Sequence, residues 1–76
     1  MMHSGFPPRE VVERRKAEYP PGCRVELVHM DDPYSKLNPG DQGTVTSVDD
    51  IGTVHVTWDI GSNLGAAYGP DRIRRL

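Results

Sequence analysis

Thr53-Val54-His55-Val56-Thr57-Trp58-Asp59-Ile60 alternates apolar and polar residues without a break. Val54, Val56, Trp58 and Ile60 fall on one face; Thr53, His55, Thr57 and Asp59 fall on the other. A period of two over this length is that of a strand with one buried side. Upstream, Asp49-Asp50-Ile51-Gly52 reads as a hairpin turn, with Gly52 supplying a positive φ. Before the turn, Gln42–Val48 reads as a partner strand with Val45 inward. Cys23-Arg24-Val25-Glu26-Leu27 alternates again, with Val25 and Leu27 inward, and Val28, His29 and Met30 extend it. The residues from Asp31 to Gly40 form a polar loop that is long for a compact domain. Downstream, Gly61-Ser62-Asn63 turns the chain and Leu64–Tyr68 reads as a fourth short strand. Gly69-Pro70-Asp71 reads as a 3₁₀ turn, and Ile73–Leu76 closes the chain.

Residues 22–76 therefore read as mostly β: a small five-stranded SH3-like barrel with a long first loop and a tight central hairpin. Residues 7–18 read as a short N-terminal α-helix. Pro7 and Pro8 suit its first turn, where an N–H is not needed, and Val11, Val12 and Tyr19 are its docking residues. Residues 1–6 are expected to be disordered. At 76 residues, with Gly 8 and Pro 7, the chain fits one small turn-rich domain and not a multidomain protein, a collagen or a coiled coil. No apolar run is long enough to span a bilayer.

Nine basic groups face eleven acidic ones, for a net charge of −2. The distribution is uneven: residues 19–69 carry Arg24 and Lys36 against seven carboxylates, whereas both ends are basic. An acidic body argues against a nucleic-acid binder, whose affinity comes from neutralising phosphates. The basic ends matter to such a role only if they meet in space. Cys23 is the sole cysteine, which excludes an internal disulfide and a multi-cysteine zinc site. The first residues lack a charged n-region and an apolar h-region. A cytoplasmic protein is expected.

Several motifs carry a family resemblance. They are Tyr19-Pro20-Pro21-Gly22 leading into Arg24-Val25-Glu26-Leu27, then Met30-Asp31-Asp32-Pro33, and Pro39-Gly40-Asp41-Gln42-Gly43-Thr44-Val45. Val48-Asp49-Asp50-Ile51-Gly52, Val56-Thr57-Trp58-Asp59 and Gly69-Pro70-Asp71 follow. In these, residues 18–76 resemble the DUF4314 family. The resemblance implies an SH3-like barrel of bacterial, phage and mobile-element proteins, and it implies no activity. The stretch Gly40–Val45 also resembles the Gly-x-Val turn of nucleic-acid-associated SH3-like barrels such as KOW modules.

No catalytic or cofactor constellation stands out, so no enzyme activity, metal or cofactor is expected. Asp31, Asp32, Asp49, Asp50 and Asp59 read as turn-forming carboxylates rather than as a cation site. His29, His55 and Cys23 lack the spacing of a metal or nucleophile site, and no phosphate-binding glycine loop is present. The aromatic residues point elsewhere. Tyr34 in the long loop and Tyr68 before the last turn, with Met30, Pro33 and Pro70, are candidates for a groove that holds an extended peptide. The resulting expectation is a protein-interaction module with a protein or peptide partner. The alternative is a nucleic-acid-associated module using Arg14, Arg15, Lys16, Arg72, Arg74 and Arg75. A homodimer through the last strand or the helix fits either reading, because an open barrel leaves edges to be covered.

Overall fold

Trp58 is only 1 % exposed and is the largest side chain in the core. Val25, Leu27, Leu37, Val45, Val54 and Val56 surround it, and Tyr19 joins from the margin. Burial of each such side chain stabilises by roughly 1.5–3 kcal/mol, so this cluster is the main source of stability in a chain this short. The indole Nε1–H donates to the Leu64 carbonyl at 2.7 Å, so the ring's one polar group is satisfied.

The computed structural model describes residues 7–31 and 35–76. The expected disorder of residues 1–6 lies outside the described residues. One helix, α1 (Arg9–Glu18), precedes β1 (Arg24–His29), β2 (Gln42–Val48), β3 (Val54–Trp58) and β4 (Arg72–Arg75). The strands form one antiparallel sheet in the order β3-β2-β1-β4. Val25 lies opposite Gly43 on one side and Arg75 on the other, and Val45 lies opposite Val56. The β2–β3 register slips between Val45 and Ser47, and the β1–β4 register between Leu27 and His29. Such bulges increase local twist and re-aim side chains. No described helix is long and apolar enough to cross a membrane.

Two boundaries differ from the sequence expectation. The helix starts at Arg9 rather than at residue 7. Pro8 has ψ near 155°, which is extended, and its carbonyl accepts the first helical bonds from Val11 and Val12. A residue before proline is pushed out of the helical region, so Pro7 stays outside and Pro8 serves as the cap.

The second difference is the strand count. The described residues hold four strands, not five, and the sheet is open rather than closed into a barrel. Leu64–Tyr68 contributes a single bridge, Ala66 to Val54, with N–H···O distances of 2.8 and 2.9 Å. The reason is competition for its backbone. The Leu64 carbonyl is taken by the Trp58 indole and the Ser62 carbonyl by the Trp58 N–H. The segment is thus fastened across the β3 edge by one residue's donors instead of a ladder. The same winding turns Ile60 outward at 54 % exposure, against the inward position that simple alternation assigns it. The strand ends at Trp58, and Asp59 and Ile60 belong to the turn.

Gly43 is the tightest point of the sheet. A Cβ there would stand 2.6 Å from Val56 Cγ1 and 2.8 Å from the Thr57 carbonyl oxygen. Neither neighbour can yield, because Val56 is buried and the carbonyl is backbone. Overpacking of this kind costs about 1–3 kcal/mol. Gly43→Ala is therefore expected to lower the urea midpoint and the Tm. A Tm within about 1 °C of the parent would contradict the packing described, since about 1 kcal/mol shifts a domain of this size by 4–8 °C.

Candidate functional site

The ten residues of α1 would be marginal alone. Val12 is its one buried residue, and Tyr19 just beyond its end is 6 % exposed. What fixes its position is polar. Arg15 Nε–H donates to the Gly52 carbonyl in the β2–β3 turn at 2.9 Å. Its guanidinium lies 5.6 Å from the Tyr19 ring centre and 5.3 Å from that of Tyr68. Lys16 Nζ meets Asp50 at 3.0 Å in the same turn. Gly52 has φ +82°, and a Cβ there would approach Pro7, Tyr68 and Arg15 to within 3.3–3.7 Å. The turn thus needs glycine both for its backbone angle and for the closeness of the parts that meet over it.

Beside this junction runs a groove of about 440 Å³, lined by Tyr68, Val28 and Ile73 with Arg15, Arg72 and Asp71 at its margins. Tyr68 and Val28 are 43 % and 44 % exposed and present an apolar strip between two cations. The turn that carries Tyr68 is held by Asp71. One carboxylate oxygen accepts from the Ala67 N–H and the other from the Asp31 N–H, both at 2.9 Å.

The groove gathers some of the residues singled out in the sequence and leaves others elsewhere. Tyr68 lines it. Met30 is half-buried against the core, and Pro70 is exposed in the turn beyond Tyr68. Pro33 and Tyr34 lie outside the described residues. The two basic ends do meet: Arg15 and Arg72 share the groove, and Arg75 Nη1 donates to the Glu18 carbonyl at 3.0 Å. Most of the basic residues, however, are engaged: Lys16 with Asp50, Arg74 with Glu26 at 2.7 Å, Arg15 in its stack. Arg14 is exposed on α1. Sequence reading missed Val28 and Ile73. The available signal was Val28, an apolar residue directly after inward-facing Leu27.

The carboxylates act in turns and ion pairs. Asp49 Oδ1 accepts from the Ile51 and Thr53 N–H groups and Oδ2 bonds His55 Nε2 at 2.9 Å. Asp41 accepts from the Asn38 N–H. Asp59 and Arg24 form a two-armed ion pair across the sheet. Its guanidinium hydrogen bond holds the Asp59 carboxyl below the usual carboxylate range. Among the described residues, no group of three or more His, Cys, Asp or Glu side chains converges as a metal site requires. The arrangement offers a half-apolar slot flanked by positive charge, suited to holding an extended chain.

The sequence matches the family described as Domain of unknown function (DUF4314) over residues 8–76. The chain belongs to this family. No curated protein shows significant similarity to it. The DUF4314 match begins at Pro8 and so takes in α1 and Arg15 as well as the sheet. The DUF4314 glycines at 22, 40, 52 and 69 all have positive φ, which assigns these motifs to turn geometry.

Two predictions follow from the geometry. Arg15→Lys keeps the charge but loses the planar stack and the Nε–H donor. It is expected to cost about 1–2 kcal/mol, read as a lower urea midpoint with faster amide exchange along α1. The second concerns Asp49. Burial alone would raise its pKa, but the His55 hydrogen bond and the Thr53 and Ile51 N–H groups outweigh it and hold the carboxyl below its ordinary value. A carboxylate depressed in the folded state contributes stability above its unfolded pKa and loses it as pH falls through the folded one. Stability should accordingly decline as pH drops below about 4. Asp49→Asn should be less stable at neutral pH and decline less steeply in acid, with Asp59 supplying the remaining slope. Urea midpoints that fall equally from neutral to acidic pH in the parent and in Asp49→Asn would disprove this role.

Proposed function

We propose that the protein is a non-enzymatic, cytoplasmic protein-interaction module that binds an extended segment of a partner in the groove beside Tyr68. The carrying observation is the exposed strip of Tyr68 and Val28, held by the Arg15 stack and the Asp71 turn next to an unpaired sheet edge. A preorganised aromatic wall loses little entropy on binding. Met30 and Pro70 lie on the segments that flank this region. The Ala66 bridge across the open sheet supports reading the fold as SH3-like. Membership of DUF4314 is compatible with an accessory role in a phage or mobile element.

The second reading, a nucleic-acid-associated module, has one observation in its favour: the basic ends converge. Against it stand the pairing of Lys16 and Arg74 and the acidic body. Affinity capture from a bacterial lysate, with and without nuclease, separates the two. The expected result is a stoichiometric protein that survives nuclease and is lost with Tyr68→Ala. It should also be lost with Val28→Glu, which leaves the Arg15 stack intact. Captured material that disappears with nuclease, and whose recovery falls steeply with salt, would replace the first reading by the second.

A further inference from the structure

The sheet order leaves β4 bonded on one side only. The Leu76 N–H donates to the Arg24 carbonyl at 3.0 Å, and Arg74 lies opposite Glu26. In an antiparallel ladder hydrogen-bonded pairs alternate, so residues 74 and 76 turn their backbone groups toward β1. Ile73 and Arg75 turn theirs away. The ladder with β1 thus leaves the Ile73 and Arg75 N–H groups on the outer side of the strand. The Ile73 carbonyl receives only a long contact, 3.5 Å, from the Tyr19 hydroxyl. The outer edge of β4 therefore presents donors and acceptors in strand spacing, directly beside the groove that Ile73 also lines.

This edge is strongly cationic. Arg72, Arg74 and Arg75 fill three of the four positions of β4, and Arg15 faces the same groove. Arg74 is neutralised by Glu26, but Arg75 bonds a carbonyl, which leaves its charge uncompensated. We propose that the free edge of β4 docks an extended acidic segment of another protein, which joins the sheet as a fifth strand with carboxylates on both of its faces, toward Arg72 on one and Arg75 on the other. This rests on the reading of the protein as an interaction module and specifies the partner's chemistry.

Two other occupants fit less well. A second copy pairing antiparallel through β4 would set arginine against arginine about Arg74, and like charges directly opposite are destabilising. A nucleic acid would answer the arginines but not the edge. A phosphodiester backbone only accepts hydrogen bonds, so the outward Arg75 carbonyl would stay unpaired, and the seven carboxylates of residues 19–69 would repel it. A peptide strand satisfies donors and acceptors alike, as in other cases of strand addition.

The test uses the full chain and three labelled probes: an end-blocked peptide of Glu-Glu-Val repeats, which places carboxylates on both faces of a strand, its Lys-Lys-Val counterpart, and an oligothymidylate. Fluorescence anisotropy should show binding of the acidic peptide alone. Amide exchange should show new protection of the Ile73 and Arg75 N–H groups in its presence. Arg72→Glu should weaken binding about tenfold or more, the equivalent of one charged hydrogen bond. Arg75→Pro removes an outward N–H at an edge position where proline is tolerated; it should abolish binding while the near-ultraviolet signal of Trp58 stays native. The inference is overturned by equal binding of the acidic and basic peptides. It is equally overturned by acidic-peptide binding without protection at residues 73 and 75, or by tighter binding of the oligothymidylate. A protein partner captured through Tyr68 despite a negative peptide result would leave the interaction module standing and remove only the acidic-strand assignment.

Discussion

Arg15 holds together parts of the chain that otherwise share little surface. Its Nε–H fixes the β2–β3 turn through Gly52, and its guanidinium separates Tyr19 from Tyr68. The helix has almost no apolar face of its own, so this residue decides where it lies. The groove depends on it in turn, because Arg15 forms one margin and positions the Tyr68 ring at another. A cation in this setting is worth more than one on an open surface. It is half-buried, it is stacked on aromatic faces, and its hydrogen bond is local and directional. One of the six basic residues that the sequence offers for a nucleic-acid interface is therefore the fastening of the fold.

The carboxylates show a similar division of labour. Asp41, Asp49 and Asp71 each accept backbone N–H groups in turns, which lets a small chain reverse direction without leaving donors unmade. Asp50 and Asp59 pair with cations from distant segments. The acidic body is thus largely a set of internal fasteners, and uncompensated positive charge remains on β4 at Arg75, whose guanidinium bonds a carbonyl.

Much of the sheet was legible because alternation is a direct imprint of burial. Val25, Leu27, Val45, Val54, Val56 and Trp58 all lie in the core, as their parity requires. Gly52 takes the positive φ that the hairpin demands. What stayed hidden depended on three-dimensional competition. Leu37 is buried, but it sits alone in a polar loop with no periodic partner to announce it. The segment around Leu64 has the composition of a strand, yet the Trp58 indole takes its carbonyl. Tyr68 could be named from its place before the last turn. Val28 breaks the alternation after Leu27 and was a signal, but no local pattern encodes the register slip between Leu27 and His29 or the place of Ile73 in the groove.

Asp71 has a wider effect than bracing its own turn. By accepting the Asp31 N–H it tethers the start of the long loop to a point forty positions away in sequence. At the other end, Leu37 is anchored in the core and the Asn38 N–H is held by Asp41. Closing a longer stretch between fixed points adds only about 0.6 kcal/mol per doubling of length. Both anchors are held by groups outside this stretch, so sheet, helix and groove do not draw on the length of chain between them.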